Sequence, residues 1–163
     1  MIREIKVKEI MVPVSDYPHI PYWFTIKQTM AMIYKYHEEA KEKGLVIYRT
    51  VLVFDEKYNF IGILTLKDML KGVEPKISLL EKEEAITWKD IFTEECKKEA
   101  EKPVSDIMTS VKTVVRIDDP IIKALHDMFK HNVDVLGVLE GDKVVGIIRL
   151  QDLFHIISKY IAL

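Results

Sequence analysis

At 163 residues the chain can form one ordinary domain or two small ones, and its composition, 48% hydrophobic and 31% charged with six Gly and six Pro, excludes the disordered and fibrous classes. The 24 Lys and Arg nearly balance the 26 Asp and Glu, for a formal charge of −2, so no whole-molecule field draws nucleic acid or anionic lipid. The one cysteine, Cys96, excludes an internal disulfide and a multi-thiolate metal site, and no apolar run approaches the ~18 residues of a membrane span, so a cytoplasmic location is expected.

The chain opens on Val7-Lys8-Glu9-Ile10-Met11, which returns as Val104-Ser105-Asp106-Ile107-Met108. A longer match joins Gly62-Ile63-Leu64-Thr65-Leu66-Lys67-Asp68-Met69-Leu70 to Gly146-Ile147-Ile148-Arg149-Leu150-Gln151-Asp152-Leu153-Phe154. Two copies of one unit follow from this, the first being longer between its anchors. In copy one a Pro-interrupted stretch around His19-Ile20-Pro21 leads into a helix whose face is marked by Ile26, Met30, Ile33 and His37. The extra length falls at that helix's end, Glu38 to Tyr48. The apolar runs Val51-Leu52-Val53-Phe54 and Ile61-Gly62-Ile63-Leu64 flank a polar segment and predict a hairpin, followed by a second helix.

Between the copies, Val73 to Lys102 carries Trp88, Ile91, Phe92 and Cys96 at helical spacing among Glu and Lys, which predicts an amphipathic connecting helix packed across the pair. In copy two the β-branched Thr113-Val114-Val115 predicts a strand. Asp118-Asp119-Pro120 then offers an N-cap carboxylate and a first-turn Pro to a helix bearing Ile121 or Ile122, Leu125, Met128 and Phe129. Val135 to Leu139 and Val144 to Ile148, on either side of Glu140-Gly141-Asp142-Lys143, form the second hairpin, and another helix follows. The expected fold is mixed α/β: residues 1–72 as repeat 1, 73–102 as helical linker and 103–163 as repeat 2, each repeat β-α-β-β-α. Units this small bury little surface alone, so a pseudo-twofold pair is expected.

Thr65 and Asp68 stand where an N-cap hydroxyl and a third-position carboxylate can satisfy each other's amides, a capping-box-like pair. A helix start also favours anions. In copy two Asp152 keeps its place, but Arg149 replaces the hydroxyl and cannot accept the cap bonds. Arg149 can clamp a phosphate, fill the site, or make a surface ion pair. His131, before Asn132, ends the copy-two helix, where a cation suits the dipole and could also meet a phosphate. The five histidines lack ligand spacing, and neither a phosphate-binding NTPase loop nor a dinucleotide-binding glycine motif occurs.

The succession of Ile-Met, long helix, apolar hairpin and Gly-x-apolar-Thr-x-x-Asp resembles the cystathionine-β-synthase (CBS) domain, twice over nearly the whole chain. The resemblance implies a tandem pair, or Bateman module, that binds AMP, ADP, ATP or S-adenosylmethionine in clefts between the repeats. It assigns the ribose to Asp68, with Thr65 on a phosphate or sugar oxygen, and to Asp152 with Arg149 in copy two. It adds Tyr48, Arg49 and Thr50 in copy one and Asp134 and Val135 in copy two, and sets the adenine against Ile20 and Pro21 or Thr113 and Val114. It further implies a homodimer through helical faces near Met69-Leu70 and Phe154-Ile157. The expected role is a sensor with no required cofactor that signals to a separate effector protein. A scaffold module with filled clefts is the first alternative, and a small nucleotide-processing enzyme the second.

Overall fold

Val51-Leu52-Val53-Phe54 and Val135-Leu136-Gly137-Val138 are short, almost wholly apolar runs, and each becomes an inner strand of a four-stranded sheet with its side chains buried on both faces. The computed structural model describes residues 2–43, 49–74 and 94–163. Among them the elements run α1 (Val7–Ile10), β1 (Val12–Pro13), β2 (His19–Pro21), α2 (Ile26–Lys43), β3 (Thr50–Phe54), β4 (Phe60–Thr65), α3 (Leu66–Val73), α4 (Glu94–Glu99), β5 (Thr109–Ser110), β6 (Val114–Arg116), α5 (Ile121–His131), β7 (Val135–Glu140), β8 (Lys143–Arg149) and α6 (Leu150–Ala162). The fold is mixed α/β, and both copies run β-α-β-β-α, as β2-α2-β3-β4-α3 and β6-α5-β7-β8-α6. No helix among the described residues is long and apolar enough to cross a membrane. Of the expected linker helix, Trp88, Ile91 and Phe92 lie outside the described residues, while Cys96 is a buried residue of α4.

The chain divides into two compact units, and each takes its opening segment from the other copy. The first unit holds residues 19–56 and 61–110; the second holds 1–18, 57–60 and 111–163. In the first, strands run in the order β2-β3-β4-β5, with β2 parallel to β3 and β5 antiparallel to β4. In the second the order is β1-β8-β7-β6, with β6 parallel to β7 and the other pairs antiparallel. The first core gathers Ile26, Val53, Leu64, Met69 and Val104; the second gathers Val7, Val115, Ile121, Leu136, Ile148 and Leu153.

The two repeated glycines admit that exchange. A Cβ on Gly146 would lie 2.7 Å from the Val12 carbonyl oxygen and 2.9 Å from Met11 Sδ, whereas one on Gly62 would first meet Met108 Sδ at 2.5 Å. Val12 is backbone of the paired strand β1 and can yield only by breaking register, but a methionine can swing aside. Gly146→Ala should therefore cost about 1–3 kcal/mol, and Gly62→Ala distinctly less. Denaturant midpoints of the two variants check the order.

Helix ends follow local chemistry. Asn132 closes α5 in the left-handed region at φ 51°, its N–H donating to Phe129 while Val133 N–H reaches Met128, a C-cap suited to Asn. At the other end the expected N-cap carboxylate is corrected: Pro120 holds that position and α5 starts at Ile121. The Asp119 carboxylate instead turns back to accept from Arg116 N–H at 2.9 Å and from Lys123 Nζ at 3.2 Å. Burial alone would raise its pKa, but these two partners outweigh that and hold it below the usual carboxylate value.

Candidate functional site

In the first unit, Leu66 N–H donates to the Arg49 carbonyl at 3.3 Å, which clips the start of α3 to the start of β3. Arg49, Thr50, Thr65 and Asp68 are thereby gathered at one end of the sheet. Thr65 Oγ1 accepts from Asp68 N–H at 3.0 Å, and Asp68 Oδ2 accepts from Thr65 N–H at 2.9 Å, so the capping box forms. That engages one carboxylate oxygen; Oδ1 accepts no hydrogen bond from any described residue. Half-buried Asp68, but not Arg49, Thr50 or Thr65, also lines a cavity of about 290 Å³ with Lys71, Gly72, Glu74, Glu99, Lys102 and Ile107, in which Lys102 and Glu99 are ion-paired. The volume sits at the lower limit of small-molecule pockets, roughly 300–1,000 Å³.

The second unit repeats the construction. Leu150 N–H donates to the Asp134 carbonyl at 2.8 Å, and Val135 is the register partner of Arg149, so Asp134, Val135, Arg149 and Asp152 converge. Here the carboxylate is engaged on both sides. Arg149 Nε donates to Asp152 Oδ2 and Nη2 to Oδ1, each at 2.8 Å, and Arg149 N–H donates to Oδ2 at 3.3 Å. Both side chains are 19% exposed. The Arg149 side chain itself accepts no cap hydrogen bond, in keeping with an N-cap residue that has no acceptor.

Tyr48 lies outside the described residues. Ile20 is a core residue, and Pro21 pairs with Phe54 at the end of β3 away from Thr50. Register sets Val114 against Gly137 and His19 against Leu52, each two residues after the clipped strand start. Pro18 and His19 are thus the copy-one counterparts of Thr113 and Val114, a correspondence that counting from the paired strand, not from the proline, would have disclosed. His131 closes α5 half-buried, without a hydrogen bond to Asp134 or Arg149. Among the described residues no group of three or more His, Cys, Asp or Glu could hold a metal ion.

The expected helical faces split. Met69 is 2% exposed and packs in the first core beside Val73, one turn on, whereas Leu70 is 60% exposed. Leu153 fills the second core and Ile157 packs against it, which leaves Phe154 and Ile161, seven residues apart on α6, 73% and 76% exposed.

The CBS domain family profile matches residues 104–159. A search of curated proteins finds no match. Among solved structures, a CBS domain-containing protein of unknown function from Bacillus anthracis is 18% identical with a TM-score of 0.68, covering 97% of this chain and 96% of that one. The CBS domain pair of protein MJ0100, in complex with 5′-methylthioadenosine and S-adenosyl-L-methionine, is 17% identical with a TM-score of 0.65 over 96% of this chain and 98% of its own. CBSX2 in complex with AMP is 17% identical with a TM-score of 0.62 over 95% and 97%. Residues 104–159 match the CBS domain profile, and over nearly its whole length the chain has the fold of solved CBS domain pairs.

Proposed function

We propose that this chain is a regulatory sensor that binds an adenosine-containing small molecule, AMP, ADP, ATP or S-adenosylmethionine, with Asp68 gripping the ribose diol. The observation that carries the reading is the Asp68 carboxylate itself. It is fixed through Oδ2 by the start of its own helix and has Oδ1 unengaged, in a fold whose solved examples hold AMP, or methylthioadenosine and S-adenosylmethionine. A carboxylate fixed before the ligand arrives loses little entropy on binding. In this reading Thr65, Arg49 and Thr50, at the same end of the sheet, meet the sugar or a phosphate.

Signalling then proceeds by population shift: the ligand favours whichever arrangement binds it more tightly, by no more than that difference in affinity. The output passes to a separate effector protein. The exposed Phe154 and Ile161 on α6, with Phe129 on α5, suit a homodimer interface. A thermal-shift panel with AMP, ADP, ATP and S-adenosylmethionine tests the reading. A ligand at a hundred times its Kd stabilises the native state by about 2.7 kcal/mol and raises the melting temperature. If millimolar concentrations of all four leave the transition unmoved, the sensor reading falls and a scaffold module takes its place.

A further inference from the structure

We infer that Arg149 is a built-in stopper which closes the copy-two site, so that the chain takes up one adenosine-containing ligand, at Asp68, and not two. The inference rests on the sensor reading of Asp68 and adds its stoichiometry and the residue that sets it.

Thr65 and Arg149 hold the same position in the two copies, the residue between the Gly-x-apolar strand and its helix. The short Thr65 hydroxyl reaches only the Asp68 amide and leaves one carboxylate oxygen open. The Arg149 fork lies along the edge of the Asp152 carboxylate, with both contacts at 2.8 Å. That is the edge a ribose would need, because two vicinal hydroxyls approach a carboxylate as the two guanidinium N–H groups do, side by side in its plane. The two ligands of Asp152, internal guanidinium and external diol, are therefore mutually exclusive.

The internal one holds the advantage. Its bonds join two opposite charges whereas a sugar hydroxyl brings only a dipole, it is tethered three residues away, and at 19% exposure water cannot readily replace what a departing carboxylate would take from Arg149. Copy two is expected to bind at least about a hundredfold more weakly than copy one, beyond the range in which a second equivalent registers in an ordinary titration.

Calorimetric titration of the full chain with AMP and, separately, S-adenosylmethionine tests this on wild type, Arg149→Thr and Arg149→Thr/Asp152→Asn. Thr recreates the copy-one arrangement and can cap the Asp152 amide, so the fold should survive; Arg149→Gln is the second variant, which keeps the bulk but loses the charged fork. The expected stoichiometries are one for wild type, two for Arg149→Thr and one again for the double variant. Two equivalents on wild type overturn the stopper, as does a single unchanged equivalent on both folded Arg149 variants. Loss of the wild-type equivalent in Arg149→Thr and Arg149→Gln also overturns it, since Arg149 would then be an anion clamp. Binding by Arg149→Thr but not by wild type keeps the stopper and removes the Asp68 reading; binding by neither overturns both.

Discussion

Val7→Asp should unfold the unit built from residues 111–163, although it lies in the first ten residues of the chain. Val7 is fully buried among Val115, Ile121, Leu136 and Leu153, and the backbone around it is stitched to the same unit: Val7 N–H to the Asp119 carbonyl at 2.9 Å, Lys8 N–H to Ile117 at 3.0 Å, and Ile121 N–H to Ile5 at 3.1 Å. A carboxylate there has no cation within the core to meet it, and an unpaired buried charge costs about 3–5 kcal/mol, a large fraction of the 5–15 kcal/mol typical of a domain. Hydrogen exchange gives the readout: amides of β7 and β8 lose protection in the variant. Val104→Asp is the mirror experiment, since Val104 is fully buried in the first core and its N–H donates to Phe24 at 2.7 Å, so β3 and β4 should open instead. If Val7→Asp opened β3 and β4 and left β7 and β8 protected, the exchange of opening segments would be refuted.

That exchange marks the limit of what was legible in sequence. Gly62 to Leu70 and Gly146 to Phe154 match because each is local: a strand, a cap and a helix start specified within nine residues, and all fall where the pattern sets them. The Val-x-x-Ile-Met motifs are equally visible as repeats, but which sheet each joins is decided by packing across about a hundred residues, and no local periodicity encodes that. Ile20 and Pro21 drew attention because the proline interrupts the run; register against β3 makes His19 the counterpart of Val114 instead. Leu70 and Met69 are adjacent and alike in hydropathy, and only the helix phase, with Met69 and Val73 turned to the core, separates them. Arg149 left three roles open in sequence because a guanidinium can reach several partners, and the 2.8 Å fork to Asp152 is a fact of geometry.

The largest expected effect on binding is that of Asp68→Asn, which also separates the two roles left open for this residue. Asn offers a carbonyl oxygen where Asp68 Oδ2 now accepts from Thr65 N–H at 2.9 Å, so the capping box can persist and the melting transition should move little. What is lost is charge and one acceptor. The amide nitrogen now stands at one of the two oxygen positions and opposes a ribose hydroxyl with a donor. Hydrogen bonds to a charged group contribute about 1.5–3 kcal/mol each, so affinity for AMP at this site should fall by about 10- to 150-fold. Thr65→Ala should instead fall mainly on stability, costing about 1 kcal/mol through the lost cap, with a smaller loss of affinity than Asp68→Asn because its hydroxyl is a neutral contact to the ligand. Calorimetry and thermal melts on both variants give a two-by-two result. An Asp68→Asn protein that binds AMP like wild type would reduce Asp68 to a helix cap, because its charge would then have no ligand to serve.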